Sequence, residues 1–277
     1  MYPSLTMRSR ALWEGLASAP AEFAPTLRVV VSPGSRLCPP RWVGLVVIAD
    51  EVLATAPAAG VASTVQQALE ALPAASLTDA RILRSQLQVA EMLGPACLAY
   101  LDPGAFRPQR APVAVRQLQL RDRDLREFIT RSGCEDIDES GIDEITSPAF
   151  AAWQRGTITS VAGYRHWPGG VAHLSVMTAA AARGQGLARA VASAAVAHAI
   201  QHGKLPQWRA RLEASRRIAR SLGFQELGSQ VSVHIQHGTQ RTDDRQQPLG
   251  SVAHQAKPMC HTSSEARQRQ EYLSGSA

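Results

Sequence analysis

The stretch Val176-Met-Thr-Ala-Ala-Ala-Ala-Arg-Gly-Gln-Gly-Leu-Ala188 joins a β-rich segment to a long alanine-rich segment that stops at Gly203. This pattern predicts a strand, a glycine-containing turn and a helix in direct succession. At the start of a helix several backbone N–H groups have no partner within the helix, and the helix dipole is positive there. Such a turn can bind phosphate, with Arg183 and Arg189 adding positive charge, although the glycines could instead serve only the packing of the helix on the sheet.

The overall composition excludes several classes of protein. The chain has 277 residues, of which 45% are hydrophobic and 19% are charged, and its formal net charge is +6. A wholly disordered chain would be less apolar and more highly charged, and a membrane helix would need roughly 20 consecutive apolar residues. We expect no secretory signal, because Glu14 interrupts the apolar candidate near the N-terminus. These features predict a soluble, cytoplasmic protein of one or two globular domains that does not bind membranes.

The cysteine spacing and the distribution of charge bear on whether the protein has a metal site, a disulfide framework or a nucleic-acid site. The four cysteines stand at positions 38, 97, 134 and 260. They lack the paired spacing of a disulfide framework or a zinc site, so we expect free thiols and no metal. Basic residues concentrate in Arg183–Arg189, in Arg209–Arg220 and in the C-terminal tail. The patch Arg209–Arg220 could face a phosphate-bearing small molecule, nucleic acid or only solvent. No aromatic side chains alternate with these residues, so we do not expect a nucleic-acid partner.

Proline, glycine and polar clusters predict the domain organisation. Three prolines and a glycine between positions 102 and 112 predict a boundary near there. It separates an N-terminal α/β domain, residues 21–110, from a second domain, residues 111–235. Residues 1–20 are predicted to be loose, and residues 236–277, which lack apolar periodicity, to be a disordered tail.

Apolar periodicity predicts the elements within each domain. In the first domain, helices are predicted over Val61–Leu72 and Leu77–Leu93. In the second domain, the acidic segment Asp136–Glu144 is predicted to be a loop. The order of the other elements there, β-α-β-β-β-α-β-α-β, is typical of an α+β fold with a mixed, mostly antiparallel sheet flanked by helices.

Two motifs together resemble a known family. Arg183, Gly186 and Ala188 match the pattern Arg/Gln-x-x-Gly-x-Gly/Ala between a strand and a long helix. About thirty residues later, Ser215-Arg-Arg-Ile-Ala-Arg-Ser-Leu-Gly223-Phe224 matches a second pattern, Ser-x-x-x-Ala-x-x-Leu-Gly-Phe. In this order the motifs resemble those of the GNAT superfamily of acetyl-CoA-dependent N-acetyltransferases, over residues 113–235.

The resemblance implies acetyl-CoA as co-substrate and acetyl transfer to a primary amine by direct attack in a ternary complex. Backbone amides of the turn would hold the pyrophosphate, and the strand end would bind the pantetheine arm. A main-chain N–H there would stabilise charge on the thioester oxygen. The residues implied in acetyl-CoA binding are Val176, Met177, Thr178, Arg183, Gly184, Gln185, Gly186, Leu187 and Ala188.

The residues that handle protons are less well defined by the sequence. His173 precedes the turn and has a side chain suited to a general base, but it could instead pack beside Tyr164 or Trp167. Ser215 could protonate the leaving thiolate or could cap its helix. The family's tyrosine and asparagine positions hold Ala219 and Leu212 here.

Those two departures from the family pattern keep an alternative open, a non-catalytic module that binds acyl-CoA. The sequence defines neither the acceptor amine nor the oligomeric state. It also contains a weak internal similarity between residues 46–72 and the stretch around Thr178–Ala188. The N-terminal domain could therefore be a degenerate acetyltransferase half, although chance similarity of alanine-rich sequence is the alternative.

Overall fold

The structure of the protein, a computed structural model, describes residues 3–109 and 113–236. These residues form ten strands and seven α-helices. The strands are β1 (Val29–Val31), β2 (Val43–Ile48), β3 (Glu51–Ala56), β4 (Val89–Tyr100), β5 (Val115–Leu118), β6 (Ala149–Gln154), β7 (Thr157–Trp167), β8 (Val171–Thr178), β9 (Leu205–Ala210) and β10 (Gln225–Ile235). The helices are α1 (Leu5–Leu16), α2 (Ala59–Leu69), α3 (Ala80–Gln86), α4 (Arg123–Arg131), α5 (Cys134–Ser140), α6 (Leu187–Gln201) and α7 (Glu213–Ser221).

All ten strands join one sheet in the order β1-β3-β2-β10-β4-β9-β8-β7-β6-β5. Neighbouring strands run antiparallel except for two parallel pairs, β1 with β3 and β8 with β9. Helices cover both faces of the sheet. The predicted α+β fold with a mixed, mostly antiparallel sheet flanked by helices is therefore confirmed.

Strands from the two predicted domains interleave in this sheet. Strand β4, from the N-terminal part, lies between β9 and β10, and β10 in turn pairs with β2. The segment after β4 packs along α7, where the Arg107 N–H donates to the Leu222 carbonyl at 3.0 Å. The division near residue 110 stays a prediction, but the strands on its two sides share one continuous sheet.

The two faces of the sheet carry different helices around its centre. Ala172 and Leu174 of β8 pack in one core with residues of α6 and α7. Val171 and Met177 of β8 pack with α1 and with α4 and α5, respectively. Because successive side chains of a strand point to opposite faces, α6 and α7 cover one face and α1, α4 and α5 the other.

Three expectations about the elements are wrong. The expectation that residues 1–20 are loose is wrong for residues 5–16, which form α1, with Leu12, Trp13 and Leu16 buried on one side of the helix. The acidic segment is not wholly a loop either, since α5 buries Ile137 and ends at a left-handed Gly141. The helix predicted over Leu77–Leu93 ends at Gln86, because the residues from Val89 onward pair with β10 instead. The predicted C-terminal tail, from residue 237 onward, lies outside the described residues.

Candidate active site

The parallel strands β8 and β9 separate part of the way along their length. They pair only from Val171 with Leu205 to His173 with Gln207. Beyond this point β8 stays on β7 as far as Thr178, and β9 stays on β4 as far as Ala210. A gap therefore opens in the sheet between residues 174–178 of β8 and residues 208–210 of β9. We call this gap the wedge.

The β8 backbone presents polar groups to the wedge. The Ala179 N–H donates to the Thr159 carbonyl at 2.9 Å, which continues the unbroken register of β7 with β8. Residues that alternate along a strand direct their N–H and C=O groups to opposite sides. Ser175 and Met177 therefore bond toward β7, whereas Leu174 and Val176 face β9 and the wedge. The Leu174 N–H completes the last pairing with Gln207, which leaves the Leu174 carbonyl and both backbone groups of Val176 directed into the wedge. An amide-containing chain can bind there as an added strand would.

The turn after β8 has the geometry of an anion site. Gly184 and Gly186 have φ values of +79° and +77°, and a Cβ added to either would meet no atom within 4 Å. Gly186 is the N-cap of α6 and contributes no side-chain bond, and the Ala190 N–H is bonded to the Gly186 carbonyl. The N–H groups of the first turn are therefore directed outward into open space, where the helix dipole favours an anion.

The polar side chains of the turn are engaged with neighbouring elements. Arg183 forms an ion pair with Asp136 of α5 at 2.7 Å, and its Nε donates to the Thr178 carbonyl at 3.3 Å. Gln185 accepts a hydrogen bond from Gln154 at 2.7 Å. Arg183 therefore ties the turn to α5. Arg189, on the first turn of α6, is exposed and has no ion-pair partner in residues 3–109 and 113–236.

His173 lies at the closed end of the wedge, on the face that α1 covers. Its ring stacks on Trp167 with 4.5 Å between centroids, so packing beside Trp167 is the alternative that the structure shows. Its Nδ1 is 3.1 Å from Gln207 Oε1. Because an amide oxygen can only accept, Nδ1 carries the proton and Nε2 keeps its lone pair. Burial, with Arg209 nearby, lowers the pKa of His173 to about 3, so the ring is neutral near pH 7.

A buried chain of hydrogen bonds holds Gln207 in place. Gln207 Nε2 donates to the Tyr100 hydroxyl at 3.0 Å, and Trp13 Nε1 donates to the same hydroxyl at 2.7 Å. Sequence reasoning missed Gln207, Tyr100 and Trp13, because the contacts join residues about a hundred positions apart. A glutamine within the apolar strand β9 was the one available signal.

Ser215 lies on the opposite face of the sheet. Helix α7 begins at Glu213 with Leu212 as its N-cap, so the alternative that Ser215 caps the helix is wrong. The Ser215 hydroxyl accepts a hydrogen bond from Trp208 Nε1 at 2.9 Å, and Trp208 belongs to the core under α6 and α7. The two predicted proton-handling residues are therefore on opposite sides of the wedge. The position of the family's tyrosine, Ala219, is buried.

The part of the chain that the structure describes contains neither a metal-binding cluster nor a membrane-spanning helix. No group of three or more His, Cys, Asp or Glu side chains there is arranged to hold a metal ion. None of the helices there has the length and apolar character needed to cross a bilayer.

Several solved structures are similar to this chain. A GCN5-related N-acetyltransferase from Kribbella flavida is 18% identical, with a TM-score of 0.43 over 58% of this chain and 65% of its own. A GCN5-related N-acetyltransferase-like protein from Streptococcus suis is 17% identical, with a TM-score of 0.42 over 70% of this chain and 84% of its own. For yncA from Salmonella typhimurium, solved with acetyl-CoA, the identity is 17% and the TM-score 0.34, over 48% of this chain and 100% of its own. The chain thus spans less than two thirds of the Kribbella flavida protein.

A comparison with curated proteins gave no significant match. A family model described as GNAT acetyltransferase matches residues 149–229. The matched segment contains β8, β9 and α6, and so supplies both sides of the wedge and the glycine turn. Through this segment, 81 of the 277 residues, the chain is similar to the GNAT acetyltransferase family.

Proposed function

We propose that the protein transfers the acetyl group of acetyl-CoA to a primary amine by direct attack in a ternary complex. The observation that carries the proposal is the junction of two features at one end of β8. The wedge offers unpaired strand N–H and C=O groups, and the glycine turn directly after it offers the outward N–H groups of α6. An amide-containing arm that ends in a pyrophosphate matches this arrangement of donors and acceptors.

The described residues fit acetyl-CoA in specific ways. Leu174 and Val176 would pair through their backbones with the amides of the pantetheine arm. Residues 184–188 would hold the pyrophosphate, since the open space beside Gly184 and Gly186 lets phosphate oxygens approach the backbone closely. Arg189 adds an exposed cation on the first turn of α6. Met177 and Thr178 close the strand end, and Arg183 supports the turn through Asp136.

The chemistry follows from positioning and from electrostatics. The thioester supplies an activated acetyl group, and the amine nitrogen must approach it without its proton. A fixed backbone N–H in the wedge stabilises the charge that develops on the carbonyl oxygen. Holding both substrates in line supplies much of the rate acceleration, because no covalent enzyme intermediate is needed.

His173, at the closed end of the wedge, remains a proposed catalytic residue, with the role of positioning the attacking amine. The tautomer fixed by Gln207 leaves Nε2 able to accept a hydrogen bond from the attacking amine. A pKa near 3 makes His173 a weak base. We therefore propose that it orients the amine, and that the amine loses its proton largely to solvent. Ser215, whose hydroxyl proton is not used by Trp208, remains the proposed donor to the leaving thiolate.

A second candidate is a non-catalytic module that binds acyl-CoA in the same wedge. Ala219 favours it, because this buried methyl group cannot donate a proton to a thiolate. For either candidate we propose a location in the cytoplasm.

One assay separates the two candidates. The protein is incubated with acetyl-CoA and a panel of primary amines, and release of free CoA thiol is followed while acetyl-CoA affinity is measured by calorimetry. The enzyme binds acetyl-CoA and releases thiol only when an amine is present. Binding without amine-dependent release would establish the module, and absence of binding would refute both candidates.

A further inference from the structure

Beside the wedge lies an arginine that has no ion-pair partner among the residues that the structure describes. Arg209 follows Gln207 by two residues on β9, and Gln207 is the last residue of β9 that pairs with β8. Arg209 therefore lies about 6.6 Å along the strand from the point where β8 and β9 separate. It is opposite Leu98 of β4, and Leu98 packs in the core under α1. Side chains of directly paired residues share a face. Arg209 is therefore on the same face as His173, opposite to α6.

The carboxylate that acts on the Arg209 guanidinium is already paired with another arginine. It is that of Glu144, and Arg165 Nη1 contacts its Oε2 at 2.6 Å. Among residues 3–109 and 113–236, Arg209 has no ion pair of its own. Arg209 therefore brings a guanidinium without an ion pair to this side of the wedge.

Burial makes that unpaired charge costly. Arg209 is partly buried, and burial lowers the pKa of its guanidinium while Glu144 raises it. Arginine nevertheless stays protonated in proteins, so the charge persists. A buried cation without a counter-ion destabilises the folded protein, and an anion that arrives with a ligand would relieve this cost.

The position of Arg209 separates this anion from the phosphates of acetyl-CoA. The glycine turn and α6, which would hold the pyrophosphate, belong to the other face of the sheet. The face with Arg209 and His173 is left for the second substrate. A single guanidinium without an ion pair matches one carboxylate better than a phosphate monoester, which carries −1.5 to −2 near pH 7.

We propose that the acceptor is an amine that also bears a carboxylate, as an amino acid does, and that Arg209 binds this carboxylate. The planar guanidinium can donate two parallel hydrogen bonds to a carboxylate, which fixes the orientation of the substrate as well as its charge. The amine end of the acceptor then lies toward His173 and the thioester. This inference rests on the proposed acetyl transfer and adds a substrate class to it.

The test compares matched pairs of acceptors. The full chain, loaded with acetyl-CoA, is given each amino acid and its carboxamide in separate reactions. It is also given phosphoethanolamine and ethanolamine, and kcat/KM for every acceptor is measured by thiol release. The wild type is expected to favour each amino acid over its carboxamide by about 30-fold or more. The Arg209→Gln variant should lose that preference by lowering kcat/KM for the acids alone.

Three controls keep the result interpretable. Arg209→Lys should recover part of the preference, because it keeps the charge but not the two-pronged geometry. Arg217→Gln removes an exposed arginine from α7 and should leave the preference unchanged. Arg209→Gln should keep the affinity for acetyl-CoA and melt at the same temperature as wild type or higher, since it removes an unpaired buried charge.

Specific outcomes would overturn the inference. The inference fails if the wild type has equal kcat/KM values for amino acids and their carboxamides. It also fails if Arg209→Gln lowers kcat/KM equally for both. A higher kcat/KM for phosphoethanolamine than for the amino acids would show that Arg209 binds a phosphate of the acceptor and not a carboxylate. Acetyl-CoA binding with no acetylation of any amino acid would also overturn it. Failure to bind acetyl-CoA would instead refute the proposed function itself, so the two failures are distinguishable.

Discussion

Replacement of Gly186 by aspartate tests the phosphate site at its centre. Gly186 is exposed, has φ +77° and ψ 1°, and has open space where a Cβ would stand. A side chain there adopts a left-handed backbone at a cost of roughly 1 kcal/mol, and a carboxylate near a helix N-terminus regains roughly 0.3–1 kcal/mol. Gly186→Asp should therefore change the free energy of unfolding by about 1 kcal/mol or less.

The same change should strongly weaken acetyl-CoA binding. A carboxylate on this residue would stand about 5 Å from a pyrophosphate held by the neighbouring N–H groups. At an effective dielectric constant of about 40, each of two phosphate charges repels it by about 1.7 kcal/mol, and salt reduces the sum to roughly 1.5–3 kcal/mol. This corresponds to a loss of roughly 10- to 150-fold in affinity.

Calorimetric titration with acetyl-CoA and thermal melting of the same samples provide the measurement. Gly169→Asp is the matched control, because Gly169 is also exposed, has φ +69° and has open space around its Cβ, but lies in the turn between β7 and β8. The control should bind acetyl-CoA like wild type. The reasoning fails if Gly186→Asp binds within threefold of wild type, or if Gly169→Asp weakens binding equally.

Three further predictions concern stability. The pKa of His173 is about 3 in the folded protein. Below pH 6.5 the unfolded chain therefore binds a proton at this histidine that the folded protein does not bind. The free energy of unfolding consequently decreases as the pH is lowered. From pH 7 to 4.5, wild type should lose about 2.5 kcal/mol more than His173→Gln in urea titrations. Gly223→Ala should lower the melting temperature by about 5 °C or more, because φ is +98° and the new Cβ would collide with the Ala105 carbonyl. Gly60→Ala, within α2 and with open space around it, should melt no lower than wild type. Trp13→Phe should cost about 1–3 kcal/mol in urea titrations, because Tyr100 loses the indole donor; an equal cost in a Tyr100→Phe background would contradict this explanation.

The glycine turn could be predicted from sequence because its determinants are local. Two glycines, a preceding β-rich segment and a following alanine-rich helix lie within a few residues of one another, and the structure places each where the pattern predicts. The alternation along β8 also follows from strand geometry, and it correctly separates His173 from Ala172 and Leu174.

Other features depend on pairings that no local pattern contains. The position of β4 between β9 and β10 joins residues more than a hundred positions apart, so periodicity alone extended a helix into that strand. Helix α1 was missed because its apolar residues cover one narrow side among charged neighbours, and its burial depends on a surface formed by β2, β4 and β9. The same distance in sequence separates Gln207 from Tyr100.

A crystal structure of the protein grown with acetyl-CoA tests the central claim most directly. The pantetheine arm should lie between β8 and β9, bonded to the backbone of Leu174 and Val176, with the pyrophosphate oxygens within hydrogen-bond distance of N–H groups of residues 184–188. The thioester should lie beside His173. A complex with acetyl-CoA bound elsewhere, or with the wedge closed and the first turn of α6 free of phosphate, would contradict the account.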